Sequence, residues 1–141
     1  MTDTESLEAY TDRANRLAAL RPAVRAALAM TWAERACSYA FMAMPASLEA
    51  AARQIVAEDA VDLAAWQTAP SSVTAYRQAS RYEAMCAVVH AYRGECEESA
   101  CCACTASYMG AAALGAETDE CSQAVLWELQ RQLAEIVEVL P

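Results

Sequence analysis

The sequence of 141 residues contains no lysine, and its ten basic residues are all arginines, a bias typical of GC-rich bacterial genes. Nineteen acidic residues outnumber them and give a formal net charge of −9. Nucleic acids and anionic membranes are bound through clustered basic side chains, so this charge argues against both classes of partner. An acidic surface instead suits a basic protein partner, or it keeps a domain in solution.

Glycine and proline are scarce, with three and four residues. A glycine-rich phosphate loop and a Gly-x-Ser-x-Gly nucleophile motif are both missing. No run of about 18 uncharged apolar residues is found, so no membrane-spanning helix is expected. The first residues, MTDTESLEAYTDR, are acidic and do not resemble a signal peptide. We therefore expect a cytoplasmic protein whose seven cysteines are reduced.

A single histidine, His90, excludes any centre built from several histidines. The Glu-x-x-His pair of di-iron bundles is missing because residue 87 is alanine. Cys86 lies one helical turn before His90 and is the nearest candidate for a Cys-His nucleophile pair, although such neighbours are more often core residues. Nothing in the sequence requires catalysis, and we expect a non-catalytic protein.

Apolar residues recur at intervals of three and four along the chain, and no alternating strand pattern interrupts them. Helix-breaking and capping residues such as Pro22, Pro45, Ser47, Gly94 and Gly115 separate the periodic segments. The predicted helices cover about 3–20, 22–44, 47–68, 72–93, 96–114 and 118–140. The sequence therefore predicts an all-α fold, a single-domain helical bundle of about five to six helices over residues 1–141.

The last predicted helix has the most regular apolar stripe in the chain. Its members alternate at three and four residues and are Leu126, Leu129, Leu133, Ile136 and Leu140. Such a stripe packs along another helix. We expect it to face the interior of the bundle, and a homodimer seam is the alternative.

The fifth predicted helix contains the cysteine-rich stretch ACCACTASYMG. Small residues on all sides allow neighbouring helices to approach closely, which favours a central helix with cysteines as packing residues. A redox pair is a second interpretation, because Cys101 and Cys104 form a Cys-x-x-Cys motif. The upstream glutamates and the missing βαβ context argue against it.

A metal site is a third interpretation of the same stretch. Cys101 and Cys104 share one helical face, and Cys86 with His90 could supply two more ligands from the preceding helix. This set suits tetrahedral Zn, while Cys37, Met42 and Met44 add soft donors that favour Cu(I). The stretch is loosely similar to the cysteine-lined helices of bacterial copper storage bundles.

Two acidic clusters are candidate surfaces for a basic partner: Glu58, Asp59 and Asp62, and then Glu95, Glu97 and Glu98. The second cluster precedes the cysteine-rich helix, and further carboxylates follow that helix at Glu117, Asp119 and Glu120. A different possibility is a small enzyme or ligand carrier. Its pocket would be lined by Trp32, Tyr39, Tyr82 and Met85.

Three segments spread over residues 24–140 carry a resemblance to a known family: Ala33-Glu34-Arg35, ACCACTASYMGAAALGAE and LWELQRQLAEIVEVL. With them the chain resembles the alanine-rich, all-helical immunity proteins of bacterial toxin systems. Cysteine and tyrosine stand where that family leads us to expect histidines in the small-residue helix. The resemblance implies a small acidic protein that binds and blocks a toxin, without catalysis.

Overall fold

The computed structural model describes the backbone of residues 3–67 and 72–140, and side chains within 7–57 and 73–140. These residues form six helices and no strand, which confirms the predicted all-α bundle. The helices are α1 (Asp3–Ala18), α2 (Pro22–Tyr39), α3 (Leu48–Gln67), α4 (Ser72–Tyr92), α5 (Cys96–Ala113) and α6 (Thr118–Val139). In the described part of the chain, no helix is long and apolar enough to cross a membrane.

Several helix ends follow directly from local sequence chemistry. Pro22 opens α2, where its missing N–H costs nothing. The Ser47 side chain accepts a hydrogen bond from the Ala50 N–H at 3.1 Å and caps α3. Gly94 and Gly115 follow α4 and α5 with φ of 74° and 87°, the left-handed conformation that glycine adopts easily. The predicted capping box at Thr2 lies outside the described residues.

Helix α2 ends at Tyr39, five residues earlier than the sequence pattern predicts. Phe41 has a φ of 56°, and the chain then runs through residues 42–45 without helical structure. The prediction used Pro45 as the end of the helix, since the residue before a proline avoids helical backbone. The backbone leaves the helical conformation at Phe41, before it reaches Pro45. The Phe41 side chain therefore lies outside the helix.

Helix α5 lies at the centre of the bundle and contacts α1, α2, α4 and α6. Its buried residues are almost all small, among them Ala100, Ala103 and Gly110. A Cβ atom added to Gly110 would lie 2.6 Å from the Tyr39 carbonyl oxygen, closer than atoms can pack. The small-residue segment is therefore the central helix that the sequence predicts.

The apolar stripe of α6 is used within the chain. Leu129 and Ile136 are buried, and Leu126, Leu133 and Leu140 are half-buried. This is the interior packing that the periodicity favours. Only the half-buried members of the stripe would be available to a homodimer. The homodimer seam stays a prediction.

Candidate functional site

A chain of buried and half-buried polar groups connects α2 to α6. The Arg35 guanidinium donates to both carboxylate oxygens of Glu128 at 2.7 and 2.8 Å, and to Glu135 at 2.6 and 3.0 Å. Tyr39 donates its hydroxyl to Glu128 at 2.5 Å, and Trp32 donates its indole N–H to Glu135 at 3.2 Å. Two carboxylates thus surround one arginine, and Arg35, Glu128 and Glu135 are all paired.

The pKa values in this network follow from burial and hydrogen bonding. Burial alone lowers the pKa of Arg35, but its hydrogen bonds to the two glutamates outweigh that effect and raise the value. Burial and the bond to Glu128 both raise the pKa of Tyr39. For Glu135, burial raises the pKa. The hydrogen bonds from Arg35 and Trp32 lower the pKa by a larger amount, so the net result is a decrease.

Gln132 extends the network towards α1. Its side-chain N–H groups donate to Glu128 at 2.8 Å and to the Ala100 carbonyl at 3.1 Å. Its oxygen accepts a hydrogen bond from Arg13 Nη1 at 2.8 Å. Arg13 is only 1% exposed, so α1 is joined to the bundle through a buried guanidinium.

The other side of the Arg13 guanidinium faces two cysteines of α5. Nη2 lies 2.9 Å from the sulfur of Cys101, and Nη1 lies 3.9 Å from that of Cys104. Both cysteines line an open groove of about 350 Å³, together with Tyr10, Thr105, Tyr108 and Val125. The ring of Tyr10 packs on Arg13 with 5.1 Å between the guanidinium carbon and the ring centre.

The structure does not gather the four residues of the predicted metal site. Cys101 and Cys104 face Arg13 and α6, whereas the neighbouring Cys102 is directed towards Glu83 and Cys86 on α4. His90 lies 3.4 Å from Glu95. Among the described residues, no three His, Cys, Asp or Glu side chains converge as ligands of one ion. A guanidinium beside Cys101 also repels cations.

The thiols differ strongly in their surroundings. No disulfide joins any of the seven cysteines, all of which lie in the described part of the chain. Burial raises the pKa of Cys37 and Cys96 to about 11 and that of Cys104 to about 12. Burial and the Glu83 carboxylate raise the pKa of Cys102. These four thiols are therefore poor nucleophiles. Of the seven cysteines, Cys101 alone is exposed.

A second feature lies at the opposite end of α5. Phe41 and Leu114 are 72% and 73% exposed. Both line an open recess of about 230 Å³, whose walls also include Tyr39, Gly110 and Ala124. Phe41 and Leu114 also border a smaller recess beside Arg77. We call Phe41, Leu114 and the larger recess the apolar surface.

Carboxylates lie next to the apolar surface in the sequence. Glu117 caps α6, and Asp119 and Glu120 lie in its first turn, so the three follow Leu114 by three to six residues, and all are exposed. Glu120 also accepts a hydrogen bond from the Glu117 backbone N–H at 3.4 Å. Residues 117–120 thus form an acidic rim beside exposed apolar side chains.

The predicted acidic clusters have separate locations. Glu97 and Glu98 are exposed in the first turn of α5, and Glu95 is half-buried beside His90. The α5 helix is about 27 Å long, so this cluster lies far from the acidic rim. The side chains of Glu58, Asp59 and Asp62 lie outside the described residues.

The predicted aromatic pocket is not a surface feature as a whole. Trp32 and Met85 have 0% exposure and belong to the core. Tyr39 lines the recesses at Phe41. Tyr82 is half-buried on α4. The full burial of Trp32 and Met85 follows from the close packing of α2 and α4 around the small residues of α5.

Two features of the structure could not be predicted from the sequence. The network of Arg13, Glu128 and Gln132 has one sign in the sequence. The polar residues Glu128 and Gln132 lie among the apolar positions of α6, which indicates buried polar groups. Phe41 also has a sign in the sequence, since it is the chain's single phenylalanine and lies just before the Pro45 break.

No protein-family model, curated protein or solved structure matches the chain.

Proposed function

We propose that this protein is a non-catalytic binding module for a basic protein, which inserts an apolar side chain at the apolar surface. The observation that carries the proposal is Phe41: a large aromatic residue, 72% exposed, in a left-handed conformation with a φ of 56°. Left-handed backbone costs a residue with a Cβ roughly 1–2 kcal/mol. Exposure also means that the ring contributes little to the core.

Strain without a folding benefit is often found where a residue contacts a partner. Leu114, a second exposed apolar residue, lines the same recess as Phe41. Single exposed apolar residues are common on protein surfaces, but two that share a concave recess are more typical of an interface. A partner's aliphatic or aromatic side chain would fill the recess, with Phe41 and Leu114 on either side.

Charge supports a basic partner over other partners. The formal net charge is −9, and the acidic rim lies beside Leu114. Opposite charge on the partner would accelerate encounter and fix its orientation, while the apolar contact would supply most of the affinity. The resemblance to immunity proteins points the same way, and on that basis the partner would be a toxin that this chain blocks. Seven thiols without disulfides support a reducing compartment, the cytoplasm.

The proposal can be tested with synthetic peptides. One peptide carries several arginines around a single leucine, and a matched peptide replaces that leucine with serine. Binding to the protein is measured by fluorescence anisotropy at low and at physiological salt. We expect the leucine peptide to bind more tightly, and both affinities to fall as salt screens the charges.

Two variants locate the binding. Phe41→Asn should weaken binding of the leucine peptide and remove its advantage over the serine peptide. The control, Trp127→Gln, removes another exposed aromatic residue, 74% exposed on α6, and should leave binding unchanged. Equal affinity of the two peptides, or an unchanged affinity in Phe41→Asn, would contradict the proposal.

A further inference from the structure

Within residues 7–57 and 73–140, whose side chains are described, Arg13 is a buried charge without a direct counter-charge. Its guanidinium contacts the Gln132 amide oxygen, Cys101 and Cys104, and its Nε has no hydrogen-bond partner. Among the described residues, no carboxylate lies within salt-bridge distance of it. Buried charges in proteins are normally paired. An anion, or a group that becomes negative as it reacts, is therefore expected beside Arg13.

Cys101 is the group placed to meet that charge. Its sulfur is 2.9 Å from Arg13 Nη2, and the residue is exposed at the groove lined by Tyr10 and Tyr108. The groove of about 350 Å³ has room for a small organic molecule. Its aromatic walls suit carbon-rich groups. The Arg13 guanidinium lies behind the Cys101 sulfur and not in the groove wall, and from there it favours negative charge at that sulfur.

We propose that Cys101 is a site of covalent modification by small anionic organic disulfides. The thiol loses its proton to solvent, and the sulfur attacks one sulfur of the reagent. That reagent's S–S bond breaks, a new S–S bond joins the reagent to Cys101, and the other half leaves as a thiolate. Cys101 is oxidised and the leaving sulfur is reduced, so no further oxidant is needed. The Arg13 guanidinium stabilises the negative charge that the three sulfurs share during the exchange.

Cys104 does not resolve the resulting mixed disulfide. Cβ atoms three residues apart on a helix are about 5–6 Å apart, whereas a disulfide needs about 3.5–4.5 Å. Burial also raises the pKa of Cys104 to about 12, so its sulfur stays protonated. The modification therefore persists until an external thiol removes it.

Glu97 and Glu98 lie one turn before Cys101 on α5, and they oppose an anionic reagent. The unfolded chain is the control for this effect. Unfolding leaves the two glutamates close to Cys101, but it separates Arg13 from Cys101. The reagents are dithiodipropionate, which is anionic, and cystamine, which is cationic and similar in size. Peptide mass spectrometry measures the rate of Cys101 adduct formation with each, in buffer and in urea.

We expect folding to raise the ratio of the anionic to the cationic rate by roughly tenfold, because the guanidinium adds a positive charge within about 4 Å of the reacting sulfur. Adducts should concentrate on Cys101 over the other six thiols. A ratio that is unchanged or lower in the folded protein would overturn the proposal, as would faster modification of another cysteine.

Arg13→Gln should return the ratio to its value in the unfolded chain. Arg53→Gln, which changes an exposed arginine on α3 and the net charge by the same amount, should leave the ratio unchanged. Circular dichroism shows whether each variant is folded. If Arg13→Gln does not fold, the comparison of wild type in buffer and in urea still decides.

Discussion

Phe41 is the residue where folding and the proposed function diverge. In the proposed function its exposed ring serves a partner, while its left-handed backbone is a cost to the fold. Asparagine adopts this conformation more readily than phenylalanine does. We therefore expect Phe41→Asn to leave the free energy of unfolding unchanged or to raise it by up to ~1 kcal/mol. Urea denaturation measures it.

Phe41→Val is the matched control, because it keeps an apolar side chain but is β-branched. A β-branched residue is strained in left-handed backbone, so this variant should be less stable than wild type. A loss of more than ~1 kcal/mol in Phe41→Asn would show instead that the ring holds the fold together.

Arg35 is the residue on which the buried charges of α6 depend. Glu128 has no exposed side-chain surface, and its carboxylate would be left without its cation in Arg35→Ala. Removing one partner of a buried ion pair costs about 3–5 kcal/mol, and we expect a loss of this size in urea denaturation. The exposed pair of Arg53 and Glu49 is the control, and Arg53→Ala should cost less than ~1 kcal/mol. Similar losses in both variants would contradict the account.

Glu135 makes stability depend on pH. Its pKa in the folded protein is lowered, because the bonds from Arg35 and Trp32 outweigh the effect of burial. Its contribution is therefore complete above the unfolded pKa of about 4.3 and is lost as pH falls through the lower folded value. The stability difference between wild type and Glu135→Gln should shrink as pH falls below about 4.

Thermal unfolding between about pH 7 and pH 3 tests this dependence. Glu138→Gln is the control, because Glu138 is exposed on the same helix. A stability difference for Glu135→Gln that stays constant over this range would contradict the assigned hydrogen bonds.

At the scale of helices, Gly110 sets the distance between α5 and the end of α2. A Cβ atom there would lie 2.6 Å from the Tyr39 carbonyl oxygen, a backbone atom that cannot move alone. Alanine favours helices by ~1 kcal/mol over glycine. We still expect Gly110→Ala to destabilise the protein by about 1–3 kcal/mol, because the cost of the clash with the Tyr39 carbonyl exceeds this gain in helix propensity.

The control for this substitution is Ser122→Ala, at an exposed position of α6. It should change the unfolding free energy by no more than ~0.5 kcal/mol. A Gly110→Ala protein that is more stable than wild type in urea denaturation would show that α5 and α2 are not closely packed.

The helices could be predicted from the sequence because their determinants are local. Pro22, Ser47 and Gly115 act within one turn of the backbone, and the apolar spacing marks each packed face. The end of α2 could not be predicted in the same way. The reversal at Phe41 follows directly on Tyr39, whose carbonyl lies close to Gly110, 71 residues away in the sequence.

The candidate sites depend on such distant contacts to an even greater extent. Cys101 and Cys104 share a face, as predicted, but that face meets Arg13, which lies 88 residues from Cys101 in the sequence. Periodicity shows that α5 is packed on several sides, and it does not show which helix lies on which side. The proposed metal set combined residues of α4 and α5 that face different neighbours for this reason.

At the scale of the molecule, the fold separates two regions along α5. The groove at Cys101 and Cys104 and the recess of the apolar surface share no lining residue. The cysteines lie in the first half of α5, and the recess lies along its second half, with the acidic rim following in the sequence. The two proposals are therefore independent. Modification of Cys101 should not alter peptide binding, and loss of Phe41 should not alter the thiol chemistry.

Mapping the binding surface by NMR tests the central claim most directly. The leucine peptide is titrated into isotope-labelled protein, and backbone amide shifts are followed. We expect shifts concentrated at residues 38–41, 110–114 and 117–120, which weaken at higher salt and are lost in Phe41→Asn. Shifts concentrated at residues 95–98 or around Trp127, or no shifts at all, would contradict a partner surface built on Phe41 and Leu114.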